Sequence, residues 1–407
     1  MFRYALILGL LSGIGPFTID MYLPALPAIA AGLSADVASV QMSLLAFFLA
    51  VGICQLFYGP VADMAGRKPP LYFGLAIFVL GSIGCALAPD IGTLVAFRAV
   101  QGIGACACMV IPRAVVRDLH SGAEAAKLMS LLMLVFSVSP VFAPLVGSAV
   151  IQFSDWRAIF WIIAGGGAMA IVLSAVALPE SMPRAARHPV RIAPVLRAYG
   201  TLLRDRNFIG LCLIGALGIS SFFIYLAHSS FVIIQGYGLT PTAYSLIFGV
   251  NAVAFIGSAQ LTSPLIHRLG LRRVIRLGVT GYAATVLALL AAFALGWGGL
   301  VTMSGFLLLA FGWVGIILPT STVLALEDHG ARAGTASALL GSIHMFTGTG
   351  VVALLGLAAS ETAFAMVAGI ACCGLAALLA ERLLLAAGGR SPVPAAEQAA
   401  GAPKAES

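Results

Sequence analysis

Long apolar runs recur along the chain, separated by short polar punctuation. They fall roughly at 4–26, 39–60, 70–88, 93–117, 127–150, 157–178, 207–232, 242–264, 274–296, 300–324, 333–357 and 363–384. About 20 apolar residues in a helix cross a hydrocarbon core, and each run has about that length. The runs are apolar on nearly every face, as lipid-embedded or bundle-buried helices must be. The pattern predicts an all-α integral membrane protein with 12 spans. The first run has Arg3 ahead of it and Ala28-Ile29-Ala30 behind it, which imitates a signal peptide. Its turn residues and apolar residues extend to about Pro27 and include Asp20, so it reads as a retained first helix.

The longest polar interruption, 179–206, divides the runs six and six. It holds Pro179, Pro183, Pro189, Pro194 and six arginines, and predicts a surface linker with one amphipathic helix. The expected divisions are 1–178, the linker 179–206, 207–384, and a tail 385–407 whose Ala, Gly and Pro content predicts disorder. An internal repeat supports two halves. Residues 59–68 (GPVADMAGRK) follow span two and 263–272 (SPLIHRLGLR) follow span eight. Pro60, Gly66 and Lys68 match Pro264, Gly270 and Arg272 at an offset of 204. Two six-helix halves in parallel repetition are a transporter architecture.

Composition sharpens this reading. Of 407 residues, 61% are hydrophobic and only 9% charged, with a mean hydropathy of +1.06, so a soluble fold lacks the polar residues to cover itself. The net charge of +7 would otherwise suggest nucleic acid. With the N-terminus placed in the cytoplasm, all but Arg98 and Arg157 of the 22 basic residues fall on the cytoplasmic side. Asp36, Asp90, Asp155 and Glu361 fall on the other. That asymmetry predicts cytoplasmic termini and removes the need for nucleic acid. The seven cysteines lie in apolar stretches without metal spacing, so no disulfide and no metal site are expected.

Few side chains remain to carry chemistry. In the 59–68 loop, Gly59 and Gly66 permit a sharp turn, Asp63 can accept from a neighbouring helix N-terminus, and Arg67 and Lys68 can pin the loop to anionic lipid. Asp20 is the only acidic residue read well inside a span. An ionised Asp facing lipid costs roughly 2.5–3.5 kcal/mol, so it must face a partner or water or be protonated, which suits a reversible proton carrier. Asp20 lies about 25 Å along the helix from Arg3, and Arg98 about 28 Å from Arg117, so the two can share a depth. Either they form a static ion pair, or Arg98 tunes the proton affinity of Asp20. Tyr22, Gln101, His228, Asn251 and His344 are further intramembrane polar groups and candidate substrate-cavity residues. His267 stands where Asp63 stands in the first half.

The pattern GxxxDxxGRK between spans two and three resembles the hallmark loop of the major facilitator superfamily. Asp20 to Pro27 (DMYLPALP), Arg98 to Gly104 (RAVQGIG), Pro112 to Asp118 (PRAVVRD), Ser139 to Gly147 (SPVFAPLVG), Asp155-Trp156-Arg157 and Ala333 to Ser337 (AGTAS) look like its Bcr/CflA drug-resistance branch. The resemblance covers roughly residues 5–384 and implies proton-driven efflux of small antibiotics or similar amphipathic compounds across a bacterial inner membrane. The proton is the coupling ion and no cofactor is called for. It associates Pro140, Pro144 and Gly147 with antiport. It implies a cytoplasmic latch of Asp63, Arg67 and Asp118 closing on the start of span eleven near Gly334. Some members carry an acidic residue where Ser12 stands here, which makes export of cationic drugs a weaker expectation. The expected partners are a small molecule, protons and the bilayer, with the chain acting as a monomer. A metabolite exporter or proton symporter on the same fold stays open as an alternative. No nucleophile–base set or phosphate loop points to an enzyme.

Overall fold

The computed structural model describes residues 2–120, 122–183, 187, 192–357 and 362–385. The side chain of Arg3 and the expected tail beyond residue 385 lie outside the described residues. The fold is nearly all helical. In the first half α1 is Phe2–Asp20, α2 Leu26–Gly32, α3 Val37–Ala65, α4 Lys68–Ala86, α5 Ile91–Leu119, α6 Gly122–Phe153 and α7 Arg157–Ala177. Then come α8 Ile192–Arg204, α9 Arg206–Ser230, α10 Pro241–Leu269, α11 Leu271–Ala294, α12 Leu300–Glu327, α13 Ala333–Leu357 and α14 Ala363–Ala380. Among the described residues, 12 segments are long and apolar enough to cross a membrane, and each matches one of the apolar runs. Only α8, between the two sets of six, falls short; its Tyr199 hydroxyl donates to the Leu56 carbonyl of α3 at 3.0 Å.

Polar caps start the helices where the runs predict. Asp36 caps α3 by accepting from the Ser39 N–H at 3.2 Å, and Asp90 caps α5 through the Thr93 N–H at 2.9 Å. Hydrogen bonds from Ser39 and Thr93 hold both carboxyls below the ordinary Asp range.

Within the first half α5 packs on α3 and α4, and α1 on α5, α6 and α7. Within the second, α12 packs on α10 and α11, and α9 on α12, α13 and α14. The halves meet mainly where α3 lies against α13 and α6 against α10. The end of the bundle holding Arg67, Arg117 and Arg332 is called the basic end here, and the end holding Asp36, Asp90 and Asp155 the far end. At the far end Gln41 Nε2 donates to the Ala227 carbonyl at 3.2 Å, and the Ser245 hydroxyl reaches the Pro144 carbonyl at 2.9 Å. Seven residues beyond Gln41, Phe48 stacks on Phe223 of the other half, 4.6 Å between centroids and 4° from parallel.

The repeated loops share a backbone. Gly66 after α3 has φ 91°, and Gly270 after α10 has φ 81°, a region that disfavours any side chain. Their surroundings differ. A Cβ on Gly66 would meet Arg187 Nη2 at 2.6 Å and Glu180 Oε2 at 2.8 Å, whereas one on Gly270 would meet nothing within 4 Å. Gly270→Ala, at φ 81° and ψ 151°, is expected to cost about 1–3 kcal/mol of backbone strain. Gly66→Ala adds a steric conflict to the same strain. Thermal unfolding of the two purified variants is expected to place Gly66→Ala below Gly270→Ala, and the reverse order would refute this account.

Candidate functional site

At the basic end the hallmark segment is more helical than its glycines suggest. The α3 helix continues through Pro60 to Ala65, because one missing backbone bond does not end a turn whose Ala62 is buried. Gly59 therefore lies inside the helix with open space beside it, and only Gly66 makes the turn. Arg67 is 5% exposed and not free to meet lipid. Its Nε and Nη2 grip Asp118 at 2.7 and 3.1 Å, and its Nη1 holds Asp63 at 2.6 Å. Burial works against the guanidinium charge, but the Asp118 and Asp63 carboxylates outweigh it and hold its pKa above the ordinary value. Lys68 Nζ donates to the Leu178 carbonyl at 2.7 Å, so it does not extend to lipid either.

Asp63 does not cap the next helix. Glu180 does, accepting from the Arg67 and Lys68 N–H groups at 2.9 and 3.2 Å. Asp63 is taken by Arg67, one helical turn away. Sequence reading missed Glu180, which stands just beyond α7 in the proline-bounded linker. A cavity of about 500 Å³ separates this cage from the start of α13, with Asp63 and Arg67 on one wall and Gly334 and Thr335 on the other.

The second constellation forms at a break in the first span. Expected as one helix to about residue 26, it stops at Asp20, passes through a 3₁₀ turn at Leu23–Ala25 and restarts as α2. Pro24 is the cause. It has no N–H for the Asp20 carbonyl, and its ring clashes with that position. The chain tightens instead, with the Tyr22 N–H on the Ile19 carbonyl at 3.2 Å.

The break sends neighbouring side chains different ways. Asp20, 4% exposed, accepts from the Ser139 hydroxyl of α6 at 3.1 Å. Tyr22 shares a 2.7 Å hydrogen bond with Ser43 and lays its ring against Arg98. Gly147 lets α6 approach the Met21 carbonyl, which any Cβ would strike. The Pro144 carbonyl on the same helix meets Ser245 of the second half. Ser139, Pro140, Pro144 and Gly147 thus sit on the helix that joins the break to α10. Ser139 stood inside the quoted motif, but nothing in the sequence aimed it at Asp20.

Arg98 is fully buried and forms no ion pair with Asp20. Its guanidinium carbon sits 4.6 Å from the centroids of both Tyr22 and Phe47, a cation between two aromatic faces. Nη1 donates to Gln101 Oε1 at 2.6 Å, and Gln101 Nε2 passes the chain to Ser82 at 2.8 Å. Nε and Nη2 have no hydrogen-bond partner. Phe47, which the sequence offered only as aromatic surface for a cavity, instead faces the Arg98 guanidinium.

The five candidate cavity residues do not share a cavity. Tyr22 and Gln101 surround Arg98. Asn251 Nδ2 donates to the Tyr225 hydroxyl at 3.0 Å, and His228 Nδ1 donates to the Ile224 carbonyl at 3.1 Å. His344 packs beside Gly215 and Ser321 with its Nε2 unpartnered. All five are buried, because polar groups at this depth must find partners inside the protein when no water reaches them. A second buried carboxylate also appears. Glu381 is 3% exposed at the end of the last span and is held by Arg276 at 3.3 Å and Arg382 at 3.4 Å.

Comparison with known proteins adds to this geometry. The Major Facilitator Superfamily family model matches residues 8–353. A Bacillus subtilis protein named uncharacterized MFS-type transporter YdgK is 38% identical over 358 residues, covering 87% of this chain and 88% of that protein. A Haemophilus influenzae bicyclomycin resistance protein homolog is 30% identical, covering 93% and 95%. Multidrug resistance protein MdtL of Klebsiella pneumoniae is 31% identical, covering 80% and 81%. Among solved structures, a D-xylose-proton symporter superposes with a TM-score of 0.74 at 16% identity, covering 96% of this chain and 99% of that one.

Replacing a buried, unpaired cation by an apolar side chain of similar length is often neutral or stabilising. Purified Arg98→Met is expected to unfold at or above the wild-type temperature, as read by a thermal melt. A fall of several degrees would mean that the guanidinium holds α3, α5 and the α1 break together.

Proposed function

The chain belongs to the Major Facilitator Superfamily, and we propose that it exports small antibiotic-like or amphipathic compounds in exchange for protons by alternating access. That it is a transporter and not an enzyme follows from the family. Drug efflux is supported by the names of the bicyclomycin resistance and multidrug resistance relatives. To these we add proton coupling, the antiport direction, a bacterial inner membrane and cytoplasmic termini.

The carrying observation is Asp20. It is a buried carboxyl at a helix break, held by one neutral hydroxyl and by no cation. Asp118, by contrast, is locked to Arg67 at 2.7 Å. Asp20 has no such lock, so its charge follows its surroundings. Water around it favours the charged form, and closed packing favours the neutral one. Its neighbours couple that change to shape. Ser139 and Gly147 tie the break to α6, and α6 contacts α10 of the second half. A proton on Asp20 then biases one packing of the halves over the other, as coupling requires.

In this reading the basic end faces the cytoplasm, and the cavity there is the open entrance of an inward-facing state. The cage of Arg67, Asp63 and Asp118 closes on α13 when the halves rock. Arg98, wedged beside the break between Tyr22 and Phe47, adds a fixed positive charge to the field in which Asp20 titrates.

Reconstituted in vesicles with an imposed pH gradient, the wild type is expected to accumulate a compound first identified by a susceptibility panel of phenicols, sulfonamides and bicyclomycin-like drugs in an efflux-deficient host. Asp20→Asn is expected to stay folded and inserted but to lose accumulation against a gradient, as well as substrate-induced proton release. An Asp20→Asn variant that accumulates drug at the wild-type rate would overturn the proton-carrier role.

A further inference from the structure

The cavity at the basic end has a charge imbalance that the cage does not explain. Its walls carry Arg67, Arg113, Arg117 and Arg332 against the single carboxylate of Asp63. Arg67 is already matched by Asp63 and Asp118. Glu180 is spent on the Arg67 and Lys68 N–H groups and on Arg187 at 3.7 Å. Among the described residues no carboxylate lies within ion-pair distance of Arg113, Arg117 or Arg332.

Arg113 and Arg117 stand four residues apart on α5, so they share one helix face and repel each other. Arg113 is partly buried, where an unmatched charge costs more than at an open surface. Arg332 faces them from the other half, immediately before α13. The first turn of α13, with Gly334 and Thr335, completes that wall and presents the positive end of a 25-residue helix. Three cations and a helix N-terminus thus converge from both halves on one space of about 500 Å³.

We propose that this cavity is an oxyanion-binding vestibule. Arg113, Arg117 and Arg332, with the start of α13, hold a carboxylate, phosphate or sulfonate group. Guanidinium forks match planar oxyanions in paired hydrogen bonds, so an acidic group is preferred over a neutral amide of the same shape. Because the arginines come from both halves, a bound anion bridges them. The same chemistry is offered by the phosphate of an anionic lipid and by the acidic group of a free solute.

The test uses the full-length protein in phosphatidylcholine nanodiscs. The probes are dansylglycine and its neutral amide, read by fluorescence anisotropy after subtraction of empty discs. The wild type is expected to bind the acid about tenfold more tightly than the amide. Arg113→Gln combined with Arg117→Gln is expected to bring that ratio to about one, with amide binding and the thermal midpoint unchanged. Should the double variant fail to fold, Arg332→Gln at the exposed rim is expected to lower the ratio about threefold. Replacing part of the lipid with phosphatidylglycerol separates the sources. Weakened dansylglycine binding in the wild type assigns the site to a lipid phosphate, and unchanged binding assigns it to free anions. Equal wild-type affinities for acid and amide in both lipids, or a ratio untouched by the arginine substitutions, would overturn the vestibule. No pH gradient enters the measurement, so a protein that binds the acid yet moves nothing would refute export and leave the site standing.

Discussion

Pro24 has no hydrogen to give the Asp20 carbonyl, and the centre of the first half is organised around that missing bond. In a bilayer no water can replace it, so the chain must tighten and turn at once. The turn aims three consecutive residues at three places. Asp20 meets Ser139 on α6, Met21 puts its carbonyl against Gly147, and Tyr22 lies over Arg98. A straight helix would have spread those groups around its circumference by 100° steps, with its own backbone sealed. The break turns one span into a junction between α3, α5 and α6.

The charges fall into two kinds. Arg67 is held by the two carboxylates of Asp63 and Asp118, and Glu180 satisfies the start of α4. These groups have a structural account that needs no ligand. Arg98 and the arginines of the basic-end cavity have none of that internal compensation. Arg98 is stabilised by ring faces, an attraction of about 0.5–2 kcal/mol per contact, and by a side-chain amide. Sorting charges by whether the fold already satisfies them separates scaffold from working parts.

The twelve spans were legible in the sequence because hydrophobic length alone decides them. The turns at Gly66 and Gly270 were legible through their repeat. What was not legible depends on which residues meet across helices. Arg98 could be placed at the depth of Asp20 by counting residues, but counting says nothing about which way a side chain points. Of its partners, Gln101 stands three residues on along the same helix, but Tyr22 comes from the break after α1 and Phe47 from α3. Gly59 was expected to turn because glycine tolerates a sharp bend, but α3 runs on through it to Ala65. Glu180 lay 113 residues from the Arg67 N–H that it accepts. The candidate cavity residues were chosen for polarity at depth, and most of them are paired inside the protein, His344 Nε2 being left without a partner.

The stack of Phe48 on Phe223 sets a mechanical condition on any exchange of faces. The far-end bonds from Gln41 and Ser245 are directional, and separating the halves there must break them outright. Two rings 4° from parallel add a stacked contact with a preferred geometry of its own. About 10 Å of helix separates Gln41 from Phe48. The far-end contact between the halves therefore joins two directional hydrogen bonds at the rim to a broad ring stack further in.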